Sequence, residues 1–255
     1  MIDDSYDMIV NNRHFSKAHK YAEKLLIPML DNIVNVEPRV AQYFQKKYNK
    51  GIYFPIIQED QKRRKAYEES LPICPQLKQQ YALIGKKIIL FVGRLVELKN
   101  LQCIIPIFKR INNPDWMLIL IGDGDYKSEL QKLSDNSENI IFVGRQEGVE
   151  LNTWYNLSDI LVLPSTQEAF GAVTNEALLA GNKVLISKLA GSQCLVEEAK
   201  NGYTIDPYDA VDIEAKMILL MNSVKSEEDY TILRSNLMPE SFDECFNRMI
   251  THWME

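Results

Sequence analysis

A chain of 255 residues holds one large domain or two small ones, and 46% hydrophobic with 25% charged residues is the composition of an ordinary globular protein. Its formal net charge of −6 argues against a nucleic-acid surface, which wants a basic patch. No apolar run approaches the ~20 residues of a membrane helix, and Met1-Ile2-Asp3-Asp4 has neither the basic region nor the apolar core of a signal peptide.

In chain order, residues 6–10 and 32–36 read as two strands of a small sheet. Between them residues 14–27 read as a helix, with Phe15, Ala18, Ala22, Leu25 and Leu26 on one face. A second helix follows Pro38 over 39–48. Residues 56–84, rich in charge and carrying Pro72 and Pro75, read as an irregular connection. Within it Lys62-Arg63-Arg64-Lys65 reads as a solvated loop, with contact to anionic lipid or an anionic carrier as the lesser reading.

From Ile88 onward, short β-branched runs alternate with helical patterns. The runs are apolar at nearly every position, which marks strands covered on both faces and hence a parallel sheet. Ligands of such sheets bind at the carboxyl ends of the strands. Gly93-Arg94, Gly122-Asp123-Gly124, Gly144-Arg145 and Pro164-Ser165 all fall there. The last pattern, Phe242, Phe246, Met249, Ile250 and Trp253, is an amphipathic helix.

The densest chemistry lies in Pro164-Ser165-Thr166-Gln167-Glu168-Ala169-Phe170-Gly171-Ala172-Val173-Thr174-Asn175-Glu176. Glu168 stands on the loop after a strand, and Glu176 in the first turns of the helix that follows. Gly171 lies near the helix start, where free N–H groups and the dipole favour a phosphate. Two carboxylates beside an anion site suit a ligand with both hydroxyls and phosphates, such as a sugar nucleotide.

Other motifs fail. A phosphate loop at 93–100 would need Gly and Ser or Thr where Leu98 and Asn100 stand, and a dinucleotide fingerprint at 122 would need Gly in place of Lys127. Asp123-Gly124-Asp125 mimics an Asp-x-Asp metal site, but Gly-Asp-Gly is what a tight strand-to-helix turn wants. His14, His19 and His252 make no metal set, and Trp154 and Tyr155 read as core residues. The four cysteines, Cys74, Cys103, Cys194 and Cys245, form no Cys-x-x-Cys pair and read as buried thiols of a reducing compartment. The expected location is the cytoplasm, with the inner face of a membrane left open.

The segment around Glu168 and Glu176 resembles the Glu-x7-Glu signature of retaining glycosyltransferases with the two-domain GT-B architecture, the family 4 group in particular. The order of the other pieces carries the resemblance. Gly93-Arg94-Leu95 with Lys99-Asn100, Gly122-Asp123-Gly124, Ile140 to Gly144, Trp154-Tyr155-Asn156-Leu157-Ser158-Asp159, Gly181-Asn182-Lys183 and Asn201-Gly202-Tyr203 follow in the family's sequence. The resemblance is strong over residues 85–210 and weak on the flanks.

It implies an α/β fold: a Rossmann-like parallel sheet with helices on both faces, the C-terminal half of a GT-B fold, plus a truncated N-terminal portion. Residues 1–55 would be a remnant of the acceptor-side domain and 56–238 the nucleotide-sugar domain. Residues 239–255 would be a helix packing back on the N-terminal portion. A complete Rossmann-like half takes on the order of 150 residues, so most of the acceptor half, and the glycine-rich loop it supplies, is expected to be missing.

The resemblance also implies roles. Arg94 and Lys99 would hold the donor pyrophosphate, doing a metal's electrostatic work without a metal. Phe170, Gly171 and Ala172 would offer backbone N–H groups to the phosphates, and Val173 would pack near the ribose. Glu176 would accept from the ribose hydroxyls, Glu168 from the transferred sugar, and Arg145 would lie near the base. The implied reaction is hexosyl transfer from a nucleotide-diphosphate sugar, UDP or GDP type, to a glycan or lipid-linked acceptor hydroxyl with retention. No cofactor is implied, and a partner chain could supply the missing half. A non-catalytic binding subunit and a sugar-nucleotide epimerase are the alternatives, with a dinucleotide-dependent oxidoreductase disfavoured for lack of the glycine fingerprint.

Overall fold

The apolar runs spaced along the chain become strands of two parallel sheets. The computed structural model describes residue 9 and residues 16–135, 137–224 and 230–254. Its N-terminal portion holds α1 (Lys17–Leu26), β1 (Val34–Asn35), α2 (Pro38–Tyr48) and β2 (Ile52–Tyr53). The two strands pair in parallel with Val34 opposite Ile52, and α2 crosses between them. Pro38 opens α2, a position where its missing N–H costs nothing. The strand expected at 6–10 lies, apart from Ile9, outside the described residues, as do His14 and Phe15 of the expected first helix.

Residues 56–84 correct the sequence reading: they contain two helices, α3 (Asp60–Ser70) and α4 (Cys74–Gln80). The helix α3 has no apolar stripe to announce it, since Tyr67 is its one large apolar side chain and is fully buried. Tertiary packing against the helix at Gly148–Leu157 holds it in place. The basic run lies on α3 and is not a solvated loop. Arg64 donates to the carbonyls of Leu179 at 2.7 Å and Arg234 at 3.0 Å, and Arg63 Nε donates to Tyr67 Oη at 3.0 Å. Pro75 sits in the first turn of α4.

From Lys87 strands and helices alternate: β3 (Lys87–Val92), α5 (Leu101–Ile111), β4 (Trp116–Ile121), α6 (Lys127–Ser134), β5 (Ile140–Gly144), α7 (Gly148–Leu157), β6 (Ile160–Leu163), α8 (Val173–Leu179) and β7 (Lys183–Ser187). Strand β8 (Gly202–Ile205), α9 (Ala210–Ser223) and α10 (Phe242–Met254) complete the chain. The six strands form one parallel sheet in the order β5-β4-β3-β6-β7-β8. The chain starts in mid-sheet at β3, builds outward to β5, then returns to the other side of β3 with β6. That is the doubly wound order, and its switch point lies between β3 and β6.

Alternate residues of each strand enter two different cores, as the period-2 geometry of a strand requires. Ile88, Leu90, Ile119, Ile121 and Leu161 face α3, α4, α7 and α8. Ile89, Phe91, Leu118, Leu120 and Val162 face α5, α6 and α9. The doubly covered parallel sheet expected from the continuous apolar runs is therefore present. At the C-terminus, α10 lies beside β2: Phe242 and Phe246 meet Phe54 edge-on, with ring centroids 5.9 and 6.5 Å away. Cys74 and Cys245 are buried, Cys103 and Cys194 half-buried, and all four are free thiols. No helix among the described residues is long and apolar enough to cross a membrane.

Candidate functional site

Two loops leave the carboxyl ends of the neighbouring strands β3 and β6, and together they frame the switch point. The first runs through Gly93, Arg94 and Leu95 into a 3-10 turn at Glu97–Lys99. It ends at Asn100, which adopts φ +56° at the start of α5, and whose amide donates to the carbonyl of Pro207 at 2.7 Å. Behind it, Gly122 approaches so closely that a Cβ there would stand 1.8 Å from the carbonyl oxygen of Gly93. Only glycine fits there, which accounts for the first residue of the Gly-Asp-Gly turn.

The second loop spans residues 164–172. Thr166 N donates to the carbonyl of Leu98 at 2.9 Å, so the two loops are hydrogen-bonded to each other. Lys99 Nζ then donates to Glu168 Oε2, closing an ion pair whose side chains are each 17% exposed. Ser165 Oγ stands 3.5 Å from the same oxygen. On its other side the loop is held by the segment after β7: Glu168 forms a parallel bridge with Ala190, and Ser192 N donates to the carbonyl of Phe170 at 2.7 Å. Gly171 adopts φ +93°, and a Cβ there would lie 2.5 Å from Leu163 Cδ2. Ala169, where glycine is common in the resembling family, is not among the residues of positive φ. Phe170 is buried, Ala172 precedes α8, and Val173 is its half-buried first residue.

Arg94 is exposed and has no hydrogen-bond or ion-pair partner for its side chain among the described residues. Neither it nor Lys99 pairs with Glu97. The two cations therefore differ: Lys99 is engaged by an acid, and Arg94 projects freely at the carboxyl edge of the sheet. Arg145 follows β5, two strands from β3 in the sheet. It pairs with Glu147 at 2.8 Å, is largely exposed, and has no hydrogen bond to the other candidates.

Glu176, on the first turns of α8, is the most heavily bonded candidate. Its Oε2 accepts from Tyr155 Oη at 2.7 Å and its Oε1 from Gln58 Nε2 at 2.8 Å. Arg63 Nη2 stands 3.6 Å from Oε1. The backbone of the same turn is gripped as well: Tyr67 Oη donates to the Glu176 carbonyl at 2.9 Å, and Gln58 N donates to Asn175 Oδ1 at 2.9 Å. Burial pushes the Tyr155 hydroxyl well above its ordinary range, so it stays a neutral donor. The expectation that Tyr155 is a core residue holds for its ring, but its hydroxyl serves Glu176. A buried tyrosine hydroxyl needs a partner, and that was the one signal for this contact. Nothing in the sequence marks Gln58 or Arg63. Among the described residues no three His, Cys, Asp or Glu side chains gather as a metal set.

The fold and site thus define a doubly wound α/β domain with cations and acids gathered at the carboxyl ends of its strands, where ligands of such sheets bind. A family model described as glycosyl transferases group 1 matches residues 75–232, and the chain belongs to that family. The sulfoquinovosyl transferase SQD2 of Arabidopsis thaliana is 30% identical over 146 residues, 56% of this chain and 28% of that protein. Spore coat protein SA of Bacillus subtilis is 31% identical over 166 residues, 60% of this chain and 44% of that protein. The chain thus spans less than half the length of these curated relatives. Among solved structures, a glycosyltransferase from Rickettsia africae superposes with a TM-score of 0.73 at 14% identity, covering 94% of this chain and 67% of that one. The Anabaena protein HepE in complex with UDP superposes at 0.71 with 18% identity, covering 96% and 67%. The C-terminal domain of a glycosyl transferase group 1 protein from Francisella tularensis superposes at 0.51 with 27% identity, covering 64% and 86%. The first two establish the fold.

Proposed function

We propose that this chain binds a nucleotide-diphosphate sugar, UDP or GDP type, at the β3/β6 switch point and transfers the sugar to an acceptor hydroxyl with retention, as a family 4 glycosyltransferase. The observation that carries the reading is the Lys99–Glu168 ion pair astride the switch point, with Arg94 free beside it. Both chemistries that such a donor needs are already side by side there.

The leaving group is a nucleoside diphosphate that gains negative charge as the glycosidic bond breaks. Fixed cations aimed at it lower the barrier without a metal. Arg94 forks phosphate oxygens, and Lys99 acts as a point charge. When the phosphates take Lys99, Glu168 is released to accept from hydroxyls of the sugar. Glu176 takes the ribose hydroxyls, and the backbone N–H groups of Phe170, Gly171 and Ala172 face the phosphates. Glu168, paired with Lys99, is read as a contact to the sugar and not as the nucleophile of a double displacement. The acceptor oxygen forms its bond to the anomeric carbon on the face the phosphate leaves, and the acceptor proton passes to a phosphate oxygen. Polysaccharide or lipid-linked glycan synthesis at the cytoplasmic side fits this chemistry.

Calorimetry with UDP, GDP and their sugars tests the first part of the proposal. A transfer assay with and without co-expressed proteins tests the second. Absence of binding to every nucleoside diphosphate would overturn the proposal.

A further inference from the structure

We infer that Tyr155 and Gln58 are positioning residues that orient the Glu176 carboxylate to take a vicinal diol, one hydroxyl on each oxygen. This inference rests on the reading that Glu176 receives the ribose of the nucleotide.

The hydrogen-bond arithmetic leads there. A carboxylate has about four acceptor sites, two on each oxygen. In this structure Tyr155 Oη fills one on Oε2 at 2.7 Å and Gln58 Nε2 fills one on Oε1 at 2.8 Å. One acceptor site remains on each oxygen, and the side chain keeps 16% exposure. Two remaining acceptors on one rigid plane match two adjacent hydroxyl donors. A single donor on one oxygen would leave the carboxylate free to rotate about its terminal torsion, which is broad and roughly two-fold. Donors on both oxygens stop that rotation.

The two donors are themselves fixed. Tyr155 is fully buried on α7, with its ring edge-on to Tyr67 at 6.0 Å. Gln58 is held by its own backbone, whose N–H donates to Asn175 Oδ1 at 2.9 Å. Tyr67 Oη donates to the carbonyl of Glu176 at 2.9 Å and fixes the turn of α8 that carries it. Arg63, 3.6 Å from Oε1, adds positive charge at that oxygen without occupying a hydrogen-bond site. Three separate segments thus converge on one acid.

The consequence is selective. Losing one donor loosens the carboxylate and weakens its grip on a diol, while contacts to the base and phosphates are untouched. The readout is therefore the preference for a ribonucleotide over its 2′-deoxy form, which a general loss of stability leaves unchanged. The test titrates the full chain and two variants, Tyr155→Phe and Gln58→Leu, with UDP, 2′-deoxy-UDP, GDP and 2′-deoxy-GDP. Phenylalanine fills the buried space of tyrosine, and Gln58 is only half-buried, so at least one variant keeps the fold. The unaltered chain should prefer the ribo form by about tenfold or more. Each variant should cut that preference to within about threefold, with the deoxy affinities within about twofold of the unaltered chain. An undiminished preference in both variants overturns the positioning role while leaving the ribose reading standing. Parallel loss of ribo and deoxy binding would show a merely structural contact and also overturns it. If the unaltered chain binds neither diphosphate, or does not prefer the ribo form, the ribose reading of Glu176 fails and the inference falls with it.

Discussion

Lys99 and Glu168 lie 69 residues apart and meet as an ion pair across the switch point between β3 and β6. At 17% exposure each, they are close enough to solvent for a ligand to reach and sheltered enough to resist full screening by salt. In the proposed function each charge has a second partner in the donor, a phosphate for Lys99 and a sugar hydroxyl for Glu168. The pair keeps both side chains in place before the donor arrives, which reduces the ordering that binding must do.

The two cations should separate on mutation. Arg94→Ala and Lys99→Ala should each weaken diphosphate binding by about 1.5–3 kcal/mol, the range for a charged hydrogen bond, with nucleoside affinity nearly unchanged. Their stabilities should differ. Arg94 is exposed and unpaired, so its loss should change stability by less than about 0.5 kcal/mol. Lys99→Ala strands Glu168 in a partly shielded site, at a cost of about 1–2 kcal/mol once solvent screening is allowed for. Calorimetry and urea melts read the two effects. Equal losses for nucleoside and diphosphate would place the cations away from the phosphates.

The parallel sheet was legible because both of its faces are covered, which writes runs such as Ile88 to Val92 without polar interruptions. The acids and cations were legible as landmarks in order, yet the Lys99–Glu168 contact was not, since it exists only once β6 returns beside β3. The helix α3 was missed because its single buried apolar residue, Tyr67, makes no stripe, and because Arg63 and Arg64 look solvated in a sequence while the fold spends them on Tyr67, Glu176 and two carbonyls. The support under Glu176 was hidden for the same reason. Gln58, Arg63 and Tyr155 come from segments with no shared spacing.

Diphosphate binding should survive removal of divalent ions. The proposal assigns the neutralising charge to Arg94 and Lys99, so titration with UDP or GDP in EDTA should give an affinity within about threefold of that in magnesium, under about 0.7 kcal/mol. Affinity that appears only with a divalent ion would sink the metal-free reading.

Gly171→Ala should hurt twice. At φ +93° an L-residue is strained, and its Cβ would lie 2.5 Å from Leu163 Cδ2. The expected cost is about 1–3 kcal/mol, or a fall in Tm of about 2–4 °C per kcal/mol for a chain of this size. Diphosphate affinity should fall with it, because the loop that turns at Gly171 faces the phosphates. Gly85 is the control: it adopts φ +71° with nothing within 4 Å of a Cβ, so Gly85→Ala should cost less and leave nucleotide binding intact.

Buried thiols make stability fall in alkali. Burial pushes Cys74 up to about 12 and Cys194 and Cys245 up to about 11, from an ordinary 9, with Glu240 adding to the rise at Cys245. In the unfolded chain these thiols ionise near 9, so above that pH the native state holds more protons and stability drops as pH rises. Their contribution is fully present below pH 9 and is lost from 9 up to about 11 for Cys194 and Cys245 and up to about 12 for Cys74, at about 1.4 kcal/mol per pH unit for each thiol. Urea melts at pH 8 and 10 measure the fall, and Cys74→Ala should make it shallower. An unchanged slope in that variant would mean other groups carry it.

The two acids should have separable roles, since Glu168 stands before the turn at Gly171 and Glu176 inside the helix after it. Glu168→Ala should spare the bare nucleoside diphosphate and lower affinity for its sugar nucleotide by about 1–3 kcal/mol, the cost of an unpaired polar group. Glu176 needs a subtler substitution. Alanine there would leave the buried Tyr155 hydroxyl without an acceptor and confuse stability with binding. Glutamine keeps an oxygen for Tyr155 but turns an amide toward Gln58, so one of the two acceptors offered to the ligand becomes a donor. Glu176→Gln should therefore fold like the unaltered chain and lose about 1–3 kcal/mol for the nucleotide and its sugar alike. Titration of both variants with a diphosphate and its matching sugar nucleotide decides the matter. Equal losses for both ligands in Glu168→Ala would show that Glu168 does not read the sugar, and a drop in Tm with the affinity for both ligands unchanged would make it only a brace for the loop, held by Lys99.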